Sequence, residues 1–63
     1  MEDKNKNLKL TILGWTKLRQ YGPVEVWKTP TMFLTCDHYR MIFRFTSTLK
    51  SAIEEVGNIQ KIS

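Results

Sequence analysis

The stretch His38-Tyr39-Arg40-Met41-Ile42-Phe43-Arg44-Phe45 alternates at every step. Tyr39, Met41, Phe43 and Phe45 share one parity, and Arg40, Ile42 and Arg44 share the other. Successive side chains of an extended chain point to opposite sides, so residues 39–45 read as a strand with one apolar face and one arginine-bearing face. The apolar face is assigned to the core. The opposite face becomes a cationic, partly apolar surface.

The same rule locates three more strands. Leu8, Leu10 and Ile12 alternate with Lys9, Thr11 and Leu13, giving a strand over 8–15 that ends at Gly14-Trp15. Thr16 to Gln20 is polar and strongly cationic and falls between the strands. Tyr21-Gly22-Pro23 is a turn, because glycine accepts positive φ and proline biases its predecessor away from helix. Val24 to Lys28 is β-branched and alternating, a second strand. Pro30 interrupts the pattern, and 31–36 forms a third strand, with Asp37-His38 as the hairpin connection to 39–45.

The period then changes. Leu49, Ala52, Ile53 and Val56 recur at helical spacing, predicting an amphipathic helix over 47–57. Thr46, Ser47 and Thr48 offer N-caps, and Gly57-Asn58 offers a C-cap. The expected architecture is α+β: a small antiparallel sheet of about four strands with one C-terminal amphipathic helix packed on one face. Residues 1–7 are a frayed N-terminus and 8–63 a single domain. The predicted core is Leu10, Ile12, Val26, Phe43, Phe45, Leu49, Ile53 and Val56, with the helix meeting the Tyr39/Met41/Phe43/Phe45 face.

At 63 residues such a domain has little interior, and chains of this size often add disulfides, a metal or a partner. Cys36 is the single cysteine, so no internal disulfide forms, and one cysteine with one histidine cannot supply four side-chain ligands to a closed zinc site. Homodimerisation through an edge strand is one remaining route. An unpaired cysteine fits a reducing compartment, which places the protein in cytoplasm. No apolar run approaches the roughly 18 residues of a membrane span.

No catalytic constellation is apparent. Cys36, Asp37 and His38 are adjacent, and adjacent side chains of a strand or turn diverge, so the triplet reads as turn chemistry beside a buried cysteine. Glu54 and Glu55 lie about 100° apart around a helix and need not face one cleft. Glu2, Asp3 and Glu25 form no metal-spaced cluster, and the three glycines make no phosphate loop. No enzyme activity, cofactor or metal is expected.

The net charge is +4, with +3 of it in residues 1–28, favouring an anionic partner surface. Parity puts Trp15 and Trp27 on the face away from the helix. With Lys17, Arg19, Arg40 and Arg44 they make a candidate contact patch, because tryptophan and arginine dominate interface hot spots. The expected function is a small non-catalytic regulator or inhibitor that binds another protein with an acidic surface. The alternative is a single-stranded nucleic-acid binder that uses a basic, tryptophan-containing sheet face.

Leu8-Lys9-Leu10-Thr11-Ile12-Leu13-Gly14-Trp15, Thr31-Met32 and the helix bearing Leu49, Ala52, Ile53 and Val56 form a layout similar to the small antitoxins of T-even bacteriophages, the Dmd type. The resemblance implies a proteinaceous, phage-encoded inhibitor that binds a host RNA-cleaving toxin in the host cytoplasm. Gly14-Trp15 and Thr31-Met32 are its near-literal matches. Tyr21-Gly22-Pro23 and the arginine strand have no counterpart in it, and no binding residue is carried over.

Overall fold

A computed structural model describes residues 13–62. The predicted strand residues 8–12, the core positions Leu10 and Ile12, and the frayed segment 1–7 lie outside the described residues. Within them run β1 (Thr16–Tyr21), β2 (Val24–Lys28), β3 (Phe33–Asp37), β4 (Ile42–Thr46) and α1 (Leu49–Gln60). The strands pair antiparallel in the order β1-β2-β3-β4, and α1 packs on one face. This is the expected α+β arrangement of four strands and a C-terminal helix.

The first described strand falls where none was predicted. Thr16–Tyr21 pairs with β2, interrupted by a bulge between Lys17 and Arg19. Among the described residues it is an edge strand, and it is mostly exposed, so its residues need not alternate in hydrophobicity. Lys17 and Arg19 suit such an edge, where charge discourages pairing with another chain. Leu13-Gly14 forms a turn instead, with Gly14 at φ 85°. The β1–β2 hairpin turns at Gly22-Pro23 as expected, with Gly22 at φ 60°.

β3 starts at Phe33 rather than residue 31, because Thr29 closes a turn around Pro30: its hydroxyl accepts the Met32 N–H at 2.9 Å, and its own N–H reaches the Met32 carbonyl at 2.9 Å. β3 runs on to Asp37. The connection to β4 is therefore His38–Met41 rather than a tight Asp37-His38 turn. Asp37 shapes it by accepting the N–H groups of Tyr39 (2.9 Å) and Arg40 (3.1 Å). Met41 completes it at φ 57°, a left-handed conformation that costs a side-chain-bearing residue roughly 1–2 kcal/mol.

Register decides which side chains meet the helix. Val24 pairs with Asp37 and Asp37 with Ile42; Val26 pairs with Thr35 and Thr35 with Arg44. These residues share one face, and Val24 and Val26 are buried there against Ala52, Val56 and Ile59. Tyr21, Phe33, Ile42, Leu49 and Ile53 pack around this core. The Thr35 hydroxyl donates to the Ala52 carbonyl at 2.9 Å, a buried link from sheet to helix.

α1 starts on Thr48, whose hydroxyl accepts the Ser51 N–H at 3.1 Å, within the predicted cap cluster. It does not stop at Gly57-Asn58. It runs to Gln60 and is capped by Lys61. Glycine inside a helix costs about 1 kcal/mol, whereas burying an isoleucine returns about 1.5–3 kcal/mol. Ile59, only 1 % exposed, extends the Ala52–Val56 stripe, so packing wins.

The predicted meeting of the helix with the Tyr39/Met41/Phe43/Phe45 face is overturned. Phe43 pairs with Cys36 and Phe45 with Leu34, so both lie on the side of the sheet away from α1. Tyr39 and Met41 belong to the connection. Phe43 and Phe45 are 41 % and 52 % exposed and therefore leave the core list. The helix side of β4 is instead Ile42 and Arg44. The more apolar parity of an edge strand proved to be the outer one because this sheet carries apolar residues on both faces.

Candidate functional site

On the helix-free face Trp27, Leu34 and Cys36 form a second buried cluster, with Trp15 packed against it. Trp15 stands edge-on to Phe45, with ring centroids 6.3 Å apart. Phe43 stands edge-on to His38 at 5.9 Å. The outer half of this face is thus an exposed aromatic row on β4, continued by exposed Tyr39 and Met41 in the β3–β4 connection. Among the described residues β4 pairs only with β3, so its other side is a sheet edge. The two edges differ: Lys17 and Arg19 guard β1, whereas Phe43 and Phe45 flank Arg44 on β4.

The six residues of the sequence-derived patch do not share one surface. Trp27 is on the helix-free side as parity required, but it is 2 % exposed and its indole N–H donates to Glu25 Oε1 at 2.9 Å. Trp15 is half-buried beside it. Lys17 Nζ lies 3.6 Å from Glu25 Oε2. Arg19 is exposed on β1, opposite Val26. Arg44 is on the helix side, with Nε 4.0 Å from Glu55 Oε1.

Arg40 is a fastening within the fold. Its Nε donates to Asp37 Oδ2 at 2.8 Å, and Nη1 donates to the carbonyls of Ile59 (3.3 Å) and Ile62. It thereby ties the β3–β4 connection to the C-terminus of α1, where cations suit the exposed carbonyls. Burial pushes the Asp37 carboxyl upward, but hydrogen bonds from the Arg40 N–H and guanidinium and the Tyr39 N–H, with the Arg40 charge, outweigh it. The Asp37 pKa is held below the ordinary carboxylate value.

Sequence reasoning missed a polar cluster on the same face. Cys36 and His38 are two residues apart, not adjacent, so their side chains share a side: Sγ lies 3.7 Å from His38 Nε2. Glu25 stands directly across the ladder from Cys36, and its Oε1 lies 3.3 Å from the same nitrogen. The signal was present in i, i+2 spacing, but Glu25 joins only through strand register. Both Cys36 and Glu25 address Nε2, whereas a nucleophilic triad uses the two ring nitrogens separately. Burial, then the nearby charges of Glu25 and Asp37, push the Cys36 thiol up to about 12 against a smaller opposing effect of Lys17. It is protonated at neutral pH and a poor nucleophile. Glu25 and His38 also line an open cleft of about 250 Å3 with Gln20, Gly22, Pro23 and Tyr39.

Among the described residues no helix is long and apolar enough to cross a membrane. No protein-family model, curated protein or solved structure matches the chain.

Proposed function

We propose that the protein is a small, non-catalytic regulator or inhibitor that binds another protein through the β4 edge of its sheet. The observation that carries this reading is the exposed pair Phe43 and Phe45 on an edge strand. Exposed aromatics in a row, beside a strand edge offering main-chain donors and acceptors, are what strand addition uses: backbone pairing supplies affinity and alternate side chains fill pockets. Met41 supports it. A left-handed methionine, 67 % exposed at the end of the row, keeps an apolar side chain where glycine or asparagine would relieve backbone strain. Arg44, half-exposed between the phenylalanines in sequence, and the net charge of +4 favour an acidic rim on the partner. The resemblance to the T-even phage antitoxins supplies the partner class, a host RNA-cleaving toxin met in the host cytoplasm.

The test uses the full chain as bait against an RNA-cleaving toxin of that class, measured by titration calorimetry. Phe43→Ser and Phe45→Ser should each weaken binding about thirtyfold, the factor of a 2 kcal/mol hot spot, while far-ultraviolet circular dichroism stays unchanged. Met41→Gly should weaken binding without loss of stability. Unchanged affinity in both phenylalanine variants would refute the β4 surface. Binding to single-stranded oligonucleotides with a steep salt slope would favour the nucleic-acid reading instead. A dimer abolished by Phe43→Ser would reassign the edge to self-association.

A further inference from the structure

Beyond protein binding, we propose that Glu25, Cys36 and His38 form a three-ligand site for a divalent cation of the zinc class. The three ligand atoms all lie within 4.8 Å of one another. A zinc ion takes sulfur at about 2.3 Å, imidazole nitrogen at about 2.0–2.1 Å and carboxylate oxygen at about 2.0–2.2 Å, so tetrahedral angles set S···N near about 3.5 Å and N···O near about 3.4 Å. The observed separations are 3.7 Å for Cys36 Sγ to His38 Nε2 and 3.3 Å for His38 Nε2 to Glu25 Oε1. Two edges of the coordination tetrahedron are already in place.

The positions are built into the sheet. Glu25 and Cys36 are a cross-strand pair of the two central strands, and His38 follows Cys36 on the same side. Supporting contacts hold the donors. The Trp27 indole N–H bonds Glu25 Oε1, Lys17 Nζ lies near Oε2, and the Phe43 ring stands against the His38 ring. Partners of this kind orient metal ligands and tune them. The adjoining cleft reaches Glu25 and His38 from solvent, giving an entry path. One sulfur, one nitrogen and one oxygen donor select a borderline ion such as Zn2+ over Mg2+ or Ca2+, which take oxygen ligands. The exclusion drawn from cysteine and histidine counts concerns closed four-side-chain sites, and a site completed by water falls outside it.

Titration of the reduced, metal-free full chain with Co2+ tests the site. Expected are a sulfur-to-cobalt charge-transfer band and visible bands of tetrahedral intensity, saturating at one equivalent and displaced by Zn2+. His38→Gln and Glu25→Gln, each removing one of three protein ligands, should raise the zinc dissociation constant by more than the roughly 10–100-fold that loss of a ligand's supporting partner costs. Circular dichroism of both apo variants checks folding, and wild-type spectra alone decide the point if either variant unfolds. Absence of the charge-transfer band in the wild type would overturn the proposal. So would a cobalt spectrum that persists in a folded His38→Gln protein, or Mg2+ competing as well as Zn2+.

Discussion

The Asp37–Arg40 fastening makes a demanding prediction. Asp37 is fully buried and accepts three hydrogen bonds, at 2.9, 3.1 and 2.8 Å. Asp37→Ala removes the acceptor of all three and leaves the Tyr39 and Arg40 backbone N–H groups without it, an expected loss of about 3–5 kcal/mol at roughly 1.5 kcal/mol per hydrogen bond to a charged group. A domain of this length has on the order of 3–9 kcal/mol in total, so that variant should be largely unfolded or close to it. Arg40 is different, because its side chain is 33 % exposed and solvent screens it. Arg40→Ala should cost about 1–2 kcal/mol and stay folded. The double variant should cost less than the two singles together, because each partner acts through the other. Urea unfolding followed by fluorescence reports this, since Trp27 is buried and changes environment on unfolding. The pH dependence has a fixed sign. With its folded pKa lowered, Asp37 contributes fully above the ordinary carboxylate value and loses that contribution as pH falls through the folded value. Asp37→Asn should therefore flatten the acid limb of the stability curve. Additive single variants, or an Arg40→Ala midpoint equal to wild type, would refute the fastening and return Arg40 to the set of surface contacts.

Other outcomes follow from single contacts. Gly22→Ala should cost about 1–2 kcal/mol from backbone conformation alone, because nothing lies within 4 Å of the added methyl; the urea midpoint measures it. Thr35→Val, which keeps the shape but removes the hydroxyl bonded to Ala52, should cost about 0.5–1.5 kcal/mol by thermal melting. Cys36 should resist alkylation at neutral pH in the metal-free protein, with a rate that rises with urea in step with global unfolding; fast labelling of the native state would contradict its burial.

Local pattern captured what local physics decides. The helix stripe Leu49, Ala52, Ile53 and Val56, the alternation of Val24 to Lys28 and the glycine turn before Pro23 each depend on near neighbours in sequence. The failures share a cause. Alternation in 39–45 shows that two faces differ, not which one the helix covers, and that choice rests on pairing Phe43 with Cys36 and Phe45 with Leu34. Strand β1 is too polar to alternate because an edge needs no second buried side. The helix passed Gly57 because Ile59 had a place in the core. The patch of tryptophans and arginines dissolved for a similar reason: Trp27 and Arg40 have buried partners, Glu25 and Asp37, whose positions depend on register and on a four-residue connection. The Glu25–Cys36–His38 cluster was half visible at i, i+2 spacing and half hidden across the ladder.

The order β1-β2-β3-β4 has a kinetic consequence. Each strand pairs with the strand next to it in sequence, and α1 covers the sheet directly after β4. Among the described residues no crossover has to find a distant partner, so loop-closure entropy is spent in small instalments. Among mixed α/β domains this topology belongs at the fast end, with folding on the order of milliseconds. The same connectivity lets the β2–β3 hairpin form before β4 arrives.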